Sequence, residues 1–319
     1  MKKTTIAISI LAIIIIVGTI FVLLPKENKV QEIKTVKIGY LPITASLPLF
    51  VAQENGYFQE EGLKAELVKA ETSNIIMESL VAEKLDLTSS VAYSTLFPVE
   101  STAPGNFVIF SGVSETDDTF ANFLLVKKDS DIQTVSDLKG KRIVTRSGAA
   151  MKIYTSLVLE KFGLSLTDIE LQQVAPSLLV STFNSPEVDA IYDVEPAMTV
   201  IIESGNGKIL EENPRVKYVL NPFPVAGTVF STKFAENNPS TAEKIIKITE
   251  KAIDYINQNP EVAKQIMTKY IPLELDIASK TRLYKFDKLT DIDKESVQKL
   301  AEIENPDNKI DTSKLFYNR

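Results

Sequence analysis

The chain has 319 residues, enough for one two-lobed domain or two ordinary domains, and its 44% apolar and 24% charged residues exclude wholesale disorder. With no Cys, no His and no Trp, it has no disulfide, no thiol nucleophile, no thiolate metal site, no lipidated Cys of the bacterial lipoprotein type, no Ser-His-Asp or Cys-His machinery and almost no route to zinc chemistry. A net charge of −7 argues against a general nucleic-acid binder, which needs a basic face.

Residues 1–29 read as a separate object. Lys2 and Lys3 precede an uncharged stretch from Thr4 to Pro25, within which Ile6–Leu24 is 19 residues interrupted only by Ser9, Gly18 and Thr19. At about 1.5 Å per residue such a helix nearly spans a ~30 Å hydrocarbon core. The exit, Phe21-Val22-Leu23-Leu24-Pro25-Lys26, has no small-x-small cleavage site. The expectation is an uncleaved N-terminal membrane anchor helix with the body outside the cell; the alternative is a cleaved signal and a secreted or periplasmic protein. Lys2 and Lys3 favour a cytoplasmic N-terminus, and Lys26 and Lys29 weaken that asymmetry. Residues 1–29 hold four Lys and one Glu, so the rest of the chain carries −10. Residues 30–35 read as a polar linker to a soluble, monomeric body.

The body alternates strand and helix patterns. Val36–Leu41 is β-rich, Ser46–Glu54 is helical and closes at Gly56, and Leu63–Val68 is a strand. Thr72 or Ser73 caps a helix to about Lys84, Asp86–Val91 is a strand, and a helix follows near Ser94–Val99. Phe107–Val113 and Phe120–Val126 are further apolar runs. A second unit starts near Ser130, with strands expected at Arg142–Thr145, Glu170–Val174, Val188–Tyr192, Lys208–Leu210 and Val216–Leu220. Helices are expected from Arg146-Ser147-Gly148-Ala149 to Phe162, at Pro176–Phe183 and at Ala197–Ser204. After the run Val225–Ser231 the chain reads as helical: a capping box at Ser240-Thr241-Ala242-Glu243, a Pro-first start at Asn259-Pro260, and amphipathic stretches at Ile277–Leu289 and Asp293–Ile303. This order implies an α/β fold with largely parallel sheets.

Several local strings, in this order and spacing, carry a resemblance. Ile38-Gly39-Tyr40-Leu41-Pro42, then Pro48-Leu49-Phe50-Val51-Ala52-Gln53-Glu54-Asn55-Gly56-Tyr57-Phe58 and Glu61-Gly62-Leu63, resemble the start of extracytoplasmic substrate-binding proteins of ABC importers. The branch is that of nitrate, taurine, aliphatic-sulfonate and thiamine-pyrimidine-precursor receptors. Val135-Ser136-Asp137-Leu138-Lys139-Gly140-Lys141-Arg142-Ile143 resembles the family's second-lobe opening, and Val188-Asp189-Ala190-Ile191-Tyr192-Asp193-Val194-Glu195-Pro196 its ligand loop. The resemblance covers about residues 36–290 and implies a two-lobed periplasmic-binding-protein fold (type II) with two crossover strands. Lobe 1 would be 36–123 with 227–319, lobe 2 would be 124–226, and the crossovers would lie near Leu124–Lys128 and Pro224–Val229. The implied function is to bind a small organic solute outside the cell, by hinge closure, and deliver it to a membrane permease and its ATPase.

Ligands of open α/β sheets sit beyond the carboxyl ends of strands. That rule selects Pro42, Thr44 and Ser46 after the first strand, with Tyr40 beside them, and Ser90 and Tyr93 after the third. In the second lobe it selects Arg146, Ser147, Gly148 and Ala149 at a helix start, and Tyr192, Asp193 and Glu195. Each has a plainer reading: Ser46 and Glu195 as helix caps, Tyr93 as packing, Arg146 as a solvated or interlobe cation. An anion would use helix N-termini and Arg146; Asp193 and Glu195 tilt the expectation towards a nitrogen-containing solute between Tyr40, Tyr93 and Tyr192. No cofactor and no metal is expected. The competing functions are a sensor ectodomain for a small molecule and a lyase or synthase on the same fold. The family's pyrimidine synthases use a His that this chain does not have.

Overall fold

The computed structural model describes residues 33–307 and 309–318. The expected anchor or signal at 1–29 therefore lies outside the described residues; among those that are described, no helix is long and apolar enough to cross a membrane. Residues 35–319 form one compact unit.

Two sheets organise that unit. The first contains β1 (Lys34–Tyr40), β2 (Leu63–Lys69), β3 (Leu87–Ala92) and β4 (Phe107–Glu115), and later receives β10 (Phe223–Ser231) and β11 (Lys285–Lys288), in the order β11-β4-β10-β3-β1-β2. The second contains β5 (Asn122–Lys127), β6 (Arg142–Arg146), β7 (Glu170–Val174), β8 (Ala190–Val194) and β9 (Gly207–Glu212), in the order β7-β6-β8-β5-β9. The chain passes between sheets within 116–121 and again within 213–222, a few residues ahead of each expected crossover. The sheets are mixed rather than largely parallel. β5 runs antiparallel to β8 and β9, and β10 antiparallel to β3 and β4. Each is the strand that enters its sheet from the other half, and it arrives running against its neighbours.

Helices α1 (Leu47–Glu54), α2 (Ser73–Val81), α3 (Tyr93–Thr102), α4 (Ala149–Glu160), α5 (Ala197–Glu203) and α6 (Pro214–Tyr218) follow strands or strand loops. The Thr72 side chain caps α2 by accepting from the Ile75 N–H, as its position predicts. The expected strand Val216–Leu220 is instead largely α6. Asn213 stands in the left-handed region and donates from Nδ2 to the Thr116 carbonyl, while Pro214 supplies the first helical residue.

The C-terminal part wraps back on the first sheet. In α7 (Pro239–Gln258), Ile245, Ile246, Ile248, Ile253 and Ile256 are buried, each contributing roughly 1.5–3 kcal/mol. This helix begins at Pro239 with no side-chain cap bond, so the expected capping box at Ser240 is absent. The expected helix over Ile277–Leu289 is shortened to α8 (Leu275–Lys280). The segment after it pairs as β11 with the edge of β4, Phe286 opposite Val113, because an unpaired strand edge outcompetes local helical preference. Asp293 caps α9 (Lys294–Glu304) through the Ser296 N–H.

Candidate functional site

A cleft of about 90 Å³ lies among loops of both sheets. That is room for several water-sized groups, since one water needs roughly 10–15 Å³. From the first half come Leu41, Pro42 and Ile43 after β1, Thr72–Asn74 at the start of α2, and Ser90, Ala92 and Thr95. From the second come Arg146 to Met151, Tyr154, Val194 and Arg215. Ser90 is a non-glycine residue held at φ 58°, a costly conformation that recurs at binding sites.

The second-half wall is built on the end of β6. Arg146 donates from its main-chain N–H to Asp193 Oδ2 at 2.7 Å, and from Nε and Nη2 to Asp193 Oδ1. Asp193 is wholly buried and also accepts from the Val194 N–H. Gln173 Nε2 donates to the carbonyls of Arg146 and Gly148, and the Ser147 N–H to that of Val174, which ties the loop to β7. Gly148 has φ 131°, which only glycine adopts comfortably, and an added Cβ would meet no atom within 4 Å. Conformation, not crowding, therefore requires glycine there, and the space above it is open. α4 then starts without a side-chain cap. Its first N–H groups have no helical partner, and the residues bearing them, Ala149 to Met151, line the cleft.

Arg215 closes the floor. It is 1% exposed, donates from Nη2 to Glu115 Oε1 at 2.8 Å, and lies 5.2 Å from the ring centres of Tyr154 and Phe223. Burial opposes its charge most strongly, but the Glu115 carboxylate together with Tyr192, Tyr284 and Tyr154 outweighs burial and leaves its pKa raised. Glu115 also accepts from the Ala121 N–H and from Asn122 Nδ2. Burial pushes the phenols of Tyr154, Tyr192 and Tyr284 well above their ordinary range, so all three stay protonated.

Of the residues selected from sequence, Pro42, Ser90, Arg146, Ser147, Gly148 and Ala149 line the cleft together. The others do not. Tyr40 packs edge-on against Phe50, with ring centres 5.6 Å apart, and against Tyr270. Thr44 and Ser46 are fully buried in the turn before α1, and Ser46 makes no cap bond. Tyr93 stacks on Phe97 in the core, and Tyr192 is buried within the second half. Asp193 holds Arg146. Glu195 lies in a different hollow with Thr199, Lys280 and Arg282, where it accepts from the Thr199 N–H and hydroxyl and from the Arg282 N–H. Burial raises its pKa, and the Thr199 bonds oppose that shift. With both carboxylates engaged by the protein, the tilt towards a nitrogen-containing solute loses its basis.

Sequence reasoning missed Thr72–Asn74, Tyr154, Tyr284 and Arg215. The strand-end rule applied to β2 would have found the first group. Nothing local marks Arg215, which enters through the unexpected α6.

The chain is 28% identical over 241 residues to a putative aliphatic sulfonates-binding protein of Bacillus subtilis, covering 74% of this chain and 69% of that protein. Among solved structures it is similar to the periplasmic aliphatic sulphonate binding protein SsuA of Escherichia coli, with TM-score 0.73 and 17% identity over 89% of this chain and 92% of that one. It is also similar to the ligand-binding component of an ABC-type import system from Staphylococcus aureus, with TM-score 0.72 and 15% identity over 89% and 96% of the two chains. These likenesses show the two-sheet periplasmic-binding-protein fold. The family described as NMT1/THI5 like matches residues 43–263, well over half of the chain, and the protein belongs to that family.

Proposed function

We propose that the protein binds a small anion-headed organic solute outside the cell and delivers it to an ABC-type importer. The observation that carries this reading is the uncapped start of α4 opening into the cleft beside Arg146. Free N–H groups and the helix dipole attract an anion there. Leu41, Pro42, Ile43, Met151 and Val225 supply apolar wall for a short carbon chain. The family membership and the names of the sulfonate-binding relatives support the same ligand class.

Capture works by closure of the two halves about the connections at 116–121 and 213–222, since contacts from both sides favour the closed state. In this reading residues 1–29 anchor the body at the extracytoplasmic face of the cell membrane. Mature protein that begins near residue 26 and fractionates free of the membrane would instead support signal cleavage.

Calorimetric titration with short-chain sulfonates, nitrate, pyrimidines and amines tests the ligand class. Sulfonates should bind, and Arg146→Gln, with folding checked by circular dichroism, should weaken them roughly 10- to 150-fold through loss of a charged hydrogen-bonding group. Binding confined to amines or neutral pyrimidines, or turnover of any of these compounds, would sink the reading.

A further inference from the structure

Buried polar atoms nearly always have hydrogen-bond partners, so those that lack one point to something missing. Among the described residues, Ser90 Oγ, Thr95 Oγ1, Tyr154 Oη and Arg215 Nε are buried without a partner, and all four residues line the cleft. Their residues are 2%, 4%, 1% and 1% exposed. Leaving such a group unpaired costs about 1–3 kcal/mol.

Their chemistry restricts what fits. Arg215 Nε only donates, while the three hydroxyls both donate and accept, so the missing partner includes an acceptor. The Arg215 charge is already matched by Glu115 at 2.8 Å. Arg146 is paired in the same way with Asp193, but its side chain is 13% exposed and that of Arg215 only 2%, so a second full anion at Arg215 would also lose its water, whereas a neutral oxygen satisfies Nε without adding charge. The position is also distinct from the anion site. Arg215 sits over Tyr154, five residues into α4 from Ala149, or about 7.5 Å along the helix at ~1.5 Å per residue.

We propose that the Arg215 side of the cleft is a second subsite that takes a neutral oxygen, a hydroxyl or carbonyl, on the far end of the solute. The favoured solutes are then hydroxy- or oxo-substituted short-chain sulfonates rather than plain alkyl ones. This rests on the anion-headed reading of the same cleft.

Titration calorimetry with two matched pairs tests it: ethanesulfonate against 2-hydroxyethanesulfonate, and propane-1-sulfonate against 3-hydroxypropane-1-sulfonate. At least one hydroxylated member should bind about 5- to 10-fold more tightly than its partner, the gain of one good hydrogen bond. Thr95→Val, and separately Arg215→Lys, should bring that ratio down to about one. Arg215→Lys puts the Glu115 pair at risk, so Thr95→Val, nearly isosteric, keeps the test decisive if the first variant misfolds. Equal affinities within both pairs would overturn the subsite and leave the anion reading standing. A preference undiminished in folded Thr95→Val would overturn its location, and no binding of any sulfonate would overturn both readings.

Discussion

At the residue scale, the cleft wall depends on side chains that face the protein as much as on those that face the cleft. Asp193 binds the main-chain N–H and the guanidinium of Arg146, so it positions that residue. Gly148 permits the turn that aims the start of α4. With φ 131° its conformation is closed to other residues, so Gly148→Ala should destabilise the fold by about 1–3 kcal/mol although its Cβ meets nothing. Urea unfolding checks this; a variant as stable as the parent would mean that the loop adjusts at little cost. Arg146, Ser147, Gly148 and Ala149 were legible as a group because they follow a strand and open a helix, and they line one cleft. Asp193 and Glu195 were legible as polar residues at strand ends, but nothing in one dimension says that the first faces Arg146 and the second Thr199.

At the element scale, α3 and α9 meet through a buried polar pair. Ser94 at the start of α3 donates to Glu304 Oε1 at 2.6 Å at the end of α9, with Tyr154 of α4 close by. Burial raises the Glu304 carboxyl to about 7, and the Ser94 bond offsets part of that shift. A carboxyl raised on folding holds its proton more tightly in the native state. Its contribution is therefore complete below the ordinary carboxylate range and is lost as pH rises towards and through about 7. Glu304→Gln mimics the protonated form, so its stability advantage over the parent should widen by on the order of 2 kcal/mol between pH 5 and pH 8. Denaturant titrations at the two pH values measure the gap, and an unchanged gap would show that Glu304 reaches solvent freely. Most elements here matched their sequence patterns. α6 and β11 did not, because a buried Arg215 and an open edge of β4 reward conformations that the local pattern does not favour.

At the scale of the whole molecule, two sheets are joined by two connections and a cleft is lined by loops of both. A solute that binds only the native, closed form raises stability by RT ln(1 + [L]/Kd), about 2.7 kcal/mol at a hundredfold excess. Thermal unfolding should register that gain, and small-angle scattering should show a smaller radius of gyration with solute. A large thermal gain with an unchanged radius would mean that the halves are already closed before binding.

Composition alone excluded His- and Cys-based chemistry, because missing side chains cannot be supplied by folding. Periodicity and turn residues determined most strands and helices, because those signals act within a few neighbours. The order of the family-like strings indicated two α/β units and a binding role. What only the tertiary structure decided is which polar groups are free for a solute. Arg215, Tyr154 and Tyr284 reach one cleft from segments far apart in sequence, while Thr44, Tyr93 and Tyr192, each read from sequence as lying at or just beyond a strand end, turn into the core. Whether a carboxylate or a hydroxyl is available depends on the partner that folding brings to it across the sheets. Such partners as Asp193 for Arg146 and Glu115 for Arg215 are 47 and 100 residues away along the chain.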